Sequence, residues 1–292
     1  MPHKAGFVNI VGNPNVGKST LMNALTGEKL SIITSKIQTT RHRIMGIVNG
    51  EDFQIVYSDT PGIIKPEYKL QEFMVKSSYG ALSDADIILY VTDVQENLNP
   101  EQEYLKKLNR VKIPVLVIIN KIDLSNETAV KRLITSWNSI LPAAETIPVS
   151  AIKNFNLDKL FYRVFELLPE SPPYYPKDQI TDKSERFFAG EMIREKILMN
   201  YRKEIPYSVE IEIESFKESD NLIRISAIIY VMRESQKGIL IGQQGQALKK
   251  TGTMARKDLE NFFNKKIYLE LLVKVKKEWR NNPGNLKQLG YH

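Results

Sequence analysis

The tightest constraint on the fold is an eight-residue loop, Gly12-Asn13-Pro14-Asn15-Val16-Gly17-Lys18-Ser19, which fits the pattern G-x-x-x-x-G-K-[ST]. The apolar run Phe7–Val11 before it reads as a strand, and Leu21, Leu25 and Leu30 after it read as one face of a helix. A strand that feeds a helix through such a loop commits the chain to a βα unit, and hence to a sheet with parallel neighbours. Phosphate chemistry explains the residue types. Glycines let backbone N–H groups approach a β-phosphate closely, and the helix N-terminus adds about half a positive charge. Lys18 reaches the β- and γ-phosphates as a compact point charge, and Ser19, followed by Thr20, offers a hydroxyl to Mg²⁺. Gly12 through Thr20 is therefore the candidate nucleotide-binding element.

The rest of the first half keeps the strand–helix alternation. Gly46–Val48 and Phe53–Tyr57 read as strands joined by the turn Asn49-Gly50. Ile87–Val91 and Pro114–Ile119 are continuously apolar, as a parallel strand covered on both faces requires, and Thr146–Val149 is a shorter run. Helical patterns occupy Lys69–Leu82, Glu101–Asn109, Ala129–Ile140 and Leu157–Leu168. The predicted fold class is α/β, a doubly wound, mostly parallel sheet. The apolar runs are far too short to span a bilayer, and glycine, asparagine and proline interrupt the first twenty positions before a long apolar core of a secretory leader could form. Cysteine is absent, which excludes disulfides and thiolate-bound zinc, and His3, His42 and His292 are too few for a histidine metal cluster. The expectation is a soluble protein of a reducing cytosol.

Two further motifs sit at strand ends. Asp59-Thr60-Pro61-Gly62 follows Phe53–Tyr57. A carboxylate there can hold Mg²⁺ through a water, and Gly62 leaves its N–H to meet a γ-phosphate. Alone, such an aspartate is as often a turn or cap residue; behind a phosphate loop the metal role is favoured. Asn120-Lys121-Ile122-Asp123 follows Val115–Ile119. Asp123 can accept from the N1–H and exocyclic amine of guanine, which adenine does not present there. Discrimination is steep because the wrong base leaves polar groups unpaired. Asn120 would tie this loop to the phosphate loop, the Lys121 stem would cover the purine face, and Ser150-Ala151 can give a backbone N–H to guanine O6.

At 169–176 four prolines fall in eight residues and the alternation stops. This sets the expected domains at 1–170, a proline-rich linker at 171–180 and a second domain at 181–292. Beyond the linker the pattern changes to α-β-β-α-α-β. Glu185–Tyr201 is an amphipathic helix, and Ser208–Phe216, Leu222–Val231 and Lys266–Val275 alternate as strands. Two helices meet at Ile241-Gly242-Gln243-Gln244-Gly245, and the second runs to about Phe263. From Lys237 onward there are twelve Lys/Arg against four Asp/Glu, a net of +8, which leaves −1 for the rest of the chain. That asymmetry points to a polyanion, nucleic acid before anionic lipid, with a solvated lysine-rich surface as the plainer reading. A G-x-x-G pair arises by chance about once at this glycine content. Here it lies between helices and inside the basic stretch, where a backbone strand can approach helix N–H groups and single-stranded bases can rest in an apolar groove. Lys249, Lys250, Arg256 and Lys257 would add phosphate contacts and a steep salt dependence.

The ordered motifs (Gly12–Ser19, Gln38-Thr39-Thr40-Arg41-His42, Asp59–Gly62, Asn120–Asp123, Ser150-Ala151) resemble those of translation-factor-type GTPases, with the spacing of the Era family. The α-β-β-α-α-β half with its G-x-x-G loop resembles a type II KH domain. The resemblance implies GTP/GDP and Mg²⁺ as ligands. Lys18, Thr40, Asp59 and Gly62 would form the catalytic group, with the metal on Ser19, Thr40 and, through a water, Asp59. The threonine pair falls in the first switch loop, where Thr40 is the expected ligand and Thr39 the alternative. Many GTPases orient the attacking water with a glutamine just after the glycine of the second switch. Here Ile63 and Ile64 stand there, so slow intrinsic hydrolysis is expected. Related GTPases without that glutamine use a potassium ion held partly by an asparagine at the position of Asn15, which makes K⁺ a candidate cofactor.

Taken over the whole chain, the resemblance implies a GTP hydrolase that binds small-subunit (16S) ribosomal RNA near its 3′ end. It would act in rRNA processing and small ribosomal subunit biogenesis, with nucleotide state switching RNA affinity. It also implies a cytoplasmic monomer with peripheral contact at the inner membrane face. A non-switching RNA chaperone and a membrane-surface GTPase are the rival readings. A P-loop kinase is disfavoured because Asn120–Asp123 would have no purpose in it.

Overall fold

The computed structural model describes residues 2–97, 99 and 102–291. The chain forms two compact units: Met1–Ser31, Thr40–Pro66 and Met74–Asp182 make the first, and Ile32–Thr39, Glu67–Phe73 and Lys183–His292 the second.

In the first unit β1 (Lys4–Val11) leads through the phosphate loop into α1 (Lys18–Thr26), followed by β2 (Ile44–Asn49), β3 (Phe53–Asp59), α2 (Lys69–Gly80), β4 (Ile87–Asp93) and α3 (Glu103–Leu108). Then come β5 (Val115–Asn120), α4 (Glu127–Ile140), β6 (Glu145–Pro148) and α5 (Leu157–Leu167). The sheet order is β2-β3-β1-β4-β5-β6. β2 pairs antiparallel with β3, and the other pairings are parallel. Continuous apolarity has the expected result: Ile88, Tyr90, Val117 and Ile119 are buried with Trp137 on one side of the sheet, and Ile10, Leu89 and Ile118 are buried as well. Each such aliphatic side chain contributes about 1.5–3 kcal/mol. α1 is shorter than its leucine spacing predicts. Gly27, at φ 74°, takes the left-handed C-cap and ends the helix at Thr26, so Leu30 is buried from the following loop. Glu101, expected in α3, lies outside the described residues.

The proline-rich stretch is not a free spacer. Gln54, fully buried in β3, accepts from the Tyr174 and Tyr175 N–H groups at 2.7 and 3.0 Å and donates to the Tyr175 carbonyl. Tyr174 packs on Phe7, Ile180 accepts from the Ile47 N–H, and Thr181 bridges to Gly46. The segment just past the prolines, 179–182, thus covers the edge strand β2. The first unit runs on to Asp182, past the expected boundary.

The second unit contains α6 (Glu185–Asn200), α7 (Ile205–Ser208), β7 (Glu210–Glu218), β8 (Leu222–Val231), α8 (Glu234–Ile241), α9 (Gln246–Phe263), β9 (Lys266–Val275) and α10 (Pro283–Gln288). Its sheet order is β7-β8-β9, antiparallel then parallel. The parallel pair needs a crossover, which α8 and α9 provide. A register shift between Ile213 and Ser215 returns Phe216 to the apolar side, where it joins Ile225 and Phe263. Trp279 is fully buried and donates to the Ser208 carbonyl at 2.9 Å, so the C-terminal segment with α10, absent from the sequence reading, closes this unit.

Candidate nucleotide site and nucleic-acid interface

The phosphate loop leaves the carboxyl end of β1, where open α/β sheets bind ligands. Gly17 caps α1 at φ 96°, and a Cβ there would lie 2.3 Å from the Asn120 amide nitrogen. Gly62 sits so close to Pro14 that a Cβ would meet its backbone at 2.9 Å. Both positions need glycine for close approach of the chain.

Lys18 is buried and donates to the Gly12 and Asn13 carbonyls at 3.1 and 2.9 Å. Burial pushes its ammonium down to about 8, against the opposing pull of Asp59 and Glu96. Glu96 accepts from Asn13 Nδ2 and from Thr92 Oγ1.

Three oxygen-bearing side chains converge beside Lys18. Ser19 Oγ donates to Asp59 Oδ2 at 2.7 Å and lies 2.9 Å from Thr40 Oγ1, and Thr40 donates to the same carboxylate oxygen at 3.3 Å. Thr39 turns away: its hydroxyl donates to the Lys36 carbonyl at 2.6 Å and lies 2.7 Å from the Thr34 hydroxyl. Asp59 is fully buried, which raises its pKa against the pull of Lys18 and of the Ser19 and Thr40 hydroxyls. Its Oδ1 has no hydrogen-bond partner; the Ser31 hydroxyl is near it but outside bonding geometry. This donor set fits Mg²⁺: two hydroxyls and a carboxylate are hard oxygen ligands, and an orphaned carboxylate oxygen is what an ion's water shell satisfies. Thr60 donates to the Ile10 carbonyl and the Pro61 carbonyl accepts from Ser78, so both support the loop from behind.

The base-side residues also gather. Asn120 Nδ2 donates to the Val16 carbonyl at 3.0 Å, which ties the two loops together. Lys121 Nζ reaches the Asn15 carbonyl at 2.6 Å and Asp93 Oδ2 at 2.5 Å. Asp93, at the end of β4, was missed in the sequence; its only signal is a carboxylate at the carboxyl end of a parallel strand. Asp123 Oδ1 accepts from Ser150 Oγ at 2.5 Å. The amides of Ser150 and Ala151 are already engaged: Ser150 N–H donates to the Phe155 carbonyl, and Ala151 N–H to Asn120 Oδ1 at 3.1 Å. A guanine O6 contact from Ala151 would have to share that N–H.

In the second unit Ile241 ends α8, Gly242 turns at φ 73° and Gln243–Gly245 make a short 3₁₀ turn, with Gln243 and Gln244 exposed. Gly245, Lys249 and Arg256 line a groove of about 340 Å³ along α9. Lys250 and Lys257 are exposed one residue further round the helix and do not line it. The remaining lining went unread: Leu248, Gly252 and Thr253 on α9, and Leu269 and Leu271 on β9. The 245-249-252-256 spacing of one helix face was its sequence signal. Gly252 keeps the floor low, since a Cβ there would lie 3.1 Å from Leu271 Cδ1.

Comparison with known proteins agrees with this division. Residues 7–121 match the family described as 50S ribosome-binding GTPase, and residues 204–280 match the KH domain. GTPase Era of Carboxydothermus hydrogenoformans is 45% identical over 294 residues, covering 100% of this chain and 99% of the relative. GTPase Era of Clostridium kluyveri is 45% identical over 290 residues, covering 99% of each. A crystal structure of a variant Aquifex aeolicus Era bound to GDP and AlF4⁻ superposes with a TM-score of 0.94 at 41% identity, covering 99% of both chains. The structure of an Era with MgGDPNP and nucleotides 1506–1542 of 16S ribosomal RNA gives the same TM-score, identity and coverage. With that identity sustained from end to end, and a phosphate-loop unit followed by a KH unit, this chain belongs to the Era family of GTPases.

Proposed function

We propose that this protein binds GTP with Mg²⁺, hydrolyses it to GDP and phosphate, and holds the 3′ region of 16S ribosomal RNA on its KH unit during small-subunit biogenesis. The observation that carries the reading is the meeting of Ser19, Thr40 and Asp59 oxygens beside buried Lys18, joined through Asn120 to the Asp123 loop. In this reading Lys18 and the loop amides hold the β- and γ-phosphates, Gly62 N–H meets the γ-phosphate, and Asp123 selects guanine. Mg²⁺, held by Ser19 and Thr40 with Asp59 behind a water, supplies charge neutralisation on the phosphates. Ile63 and Ile64 can neither hold a water nor accept a proton, so unassisted turnover is slow. K⁺, held in part by Asn15, which takes the left-handed conformation at φ 65°, would add positive charge beside the phosphates in place of that side chain's help. The family description of residues 7–121 names the large subunit; the RNA assignment rests instead on the groove beside Gly245 and on the RNA-bound Era.

Calorimetry with GTP and ATP in Mg²⁺ tests the core of this reading. Selective GTP binding supports it, and equal affinity for ATP, or none for either, refutes it. GTPase rates in matched K⁺ and Na⁺ buffers test the ion, and equal rates remove it. Affinity for a 16S 3′ RNA fragment with GDP, a GTP analogue and no nucleotide tests the switch, which fails if all three agree. We further assign the chain to the cytoplasm as a monomer with peripheral membrane contact. No described helix is long and apolar enough to cross a bilayer. Gel filtration and co-sedimentation with anionic vesicles test these points; a stable dimer or no vesicle binding counts against them.

A further inference from the structure

We infer that Arg194 is a positioning residue of the nucleotide switch, through which the helix beneath the RNA groove sets the Thr40 hydroxyl. Thr40 is covalently preceded by Ile32–Thr39, a segment that belongs to the second unit. One face of α6 grips both ends of that segment. Glu195 Oε1 accepts from the Ile33 N–H at 3.2 Å. Arg194, fully buried, donates to the Thr39 carbonyl and, at 3.5 Å, to the Gln38 carbonyl. Glu191 binds the other side of the guanidinium, with Nε to Oε1 at 2.8 Å, so the fork cannot swing. A second brace acts on the same turn: Tyr68 OH donates to Gln38 Oε1 at 2.6 Å, and the Arg280 guanidinium lies 4.1 Å from the Tyr68 ring.

A buried ion pair is weak evidence for stability alone, because a well-packed apolar pair does as well. What an apolar pair cannot do is hold two carbonyls more than 150 residues away in sequence, immediately before a hydroxyl that meets Ser19 and Asp59. The other end of the chain of contacts reaches the groove. Lys196 pairs with Glu195 at 3.0 Å and with Asp258 of α9, and Asn200 donates to Thr251 of α9 at 3.2 Å. The outer face of α9 carries Lys249, Gly252 and Arg256. A shift of α9 on RNA therefore reaches α6, then the Gln38 and Thr39 carbonyls, then Thr40. Spatial continuity alone does not establish coupling, so the claim is energetic: removing Arg194 removes the linkage.

This inference rests on the proposed switch, and the test separates the two. In the full-length protein, the affinity of a 16S 3′ RNA fragment is measured with GDP and with a GTP analogue, beside the Mg²⁺ midpoint for GTP hydrolysis. Wild type is expected to show an affinity ratio of about fivefold or more between the nucleotides. Arg194→Ala is expected to bring that ratio to about one, with RNA affinity in GDP unchanged, and to raise the Mg²⁺ midpoint. Arg194→Lys, which reaches one carbonyl, is expected to restore part of both. If Arg194→Ala does not fold, Arg194→Met with Glu191→Leu removes both buried charges at similar volume and is expected to show the same loss. Full wild-type coupling and an unmoved Mg²⁺ midpoint in a folded variant overturn the inference. No coupling in wild type overturns the switch itself, and the inference with it.

Discussion

Lys18 should be a liability to the nucleotide-free protein, and replacing it tests the electrostatics of the site directly. Burial lowers its ammonium from 10.5 to about 8. Each unit is worth about 1.4 kcal/mol, so keeping Lys18 charged in the fold costs about 3 kcal/mol. The sign follows from proton counting. Between pH 8 and 10.5 the unfolded chain holds this proton and the folded chain sheds it, so folding stability rises with pH there; below pH 8 the whole penalty is present. Lys18→Met keeps the stem and removes the charge. It also removes two hydrogen bonds to the Gly12 and Asn13 carbonyls, worth about 1–2 kcal/mol together, so the nucleotide-free variant should gain about 1–2 kcal/mol at pH 7. Urea melts from pH 6.5 to 10 should show this gain shrinking as pH rises through 8, and the thermal shift given by GTP should vanish. A variant less stable than wild type at pH 7, with a difference independent of pH, would refute the reasoning.

Asn120→Ala should leave the Val16 carbonyl and the Ala151 N–H unpaired, at about 1–3 kcal/mol each, and weaken GTP more than Mg²⁺-driven phosphate binding; unchanged GTP affinity by calorimetry would contradict this. Lys249→Ala or Arg256→Ala should each lower the salt slope of single-strand RNA binding by about 0.7, and an unaltered slope would remove that side chain from the phosphate contacts. Gly252→Val should fill the groove floor against Leu271 and weaken RNA binding without changing that slope, so an equal affinity would show that no base enters the groove.

Legibility tracked the range of the forces involved. β8 and β9 match their sequence-read limits because period-two apolarity is local, and the central strands of the first sheet were legible because both their faces are covered. The choice between Thr39 and Thr40 was not legible: two adjacent hydroxyls have the same composition, and only the backbone held by Arg194 turns one inward. α10 was hidden because Asn281-Asn282-Pro283-Gly284 reads as a loop; Asn282 in fact caps the helix and Pro283 opens it, both normal at an N-terminus. The proline stretch read as a spacer because its partner is one buried glutamine in β3, a residue with no local reason to bind a chain 120 residues further on. The grouping of Ile32–Thr39 with the second unit is non-local in the same way.

The two charged groups at the heart of the site are displaced in opposite directions for one reason. Burial pushes the Lys18 ammonium down and the Asp59 carboxyl up, so each is driven toward its neutral form, and their mutual attraction only partly offsets this. A phosphate group favours the charged lysine but opposes the charged aspartate. A divalent cation does the reverse. Neither ligand alone favours both charged forms, whereas the two together do, and the metal's water shell can reach Asp59 Oδ1. Nucleotide and Mg²⁺ should therefore bind with strong mutual dependence, and by linkage the enhancement must be the same whichever is added first. Asp59→Asn removes one side of the conflict. It should narrow the difference in GTP affinity with and without Mg²⁺, leaving the part that comes from the metal on the phosphates, while a variant with the full wild-type difference would show that the metal acts on the phosphates alone.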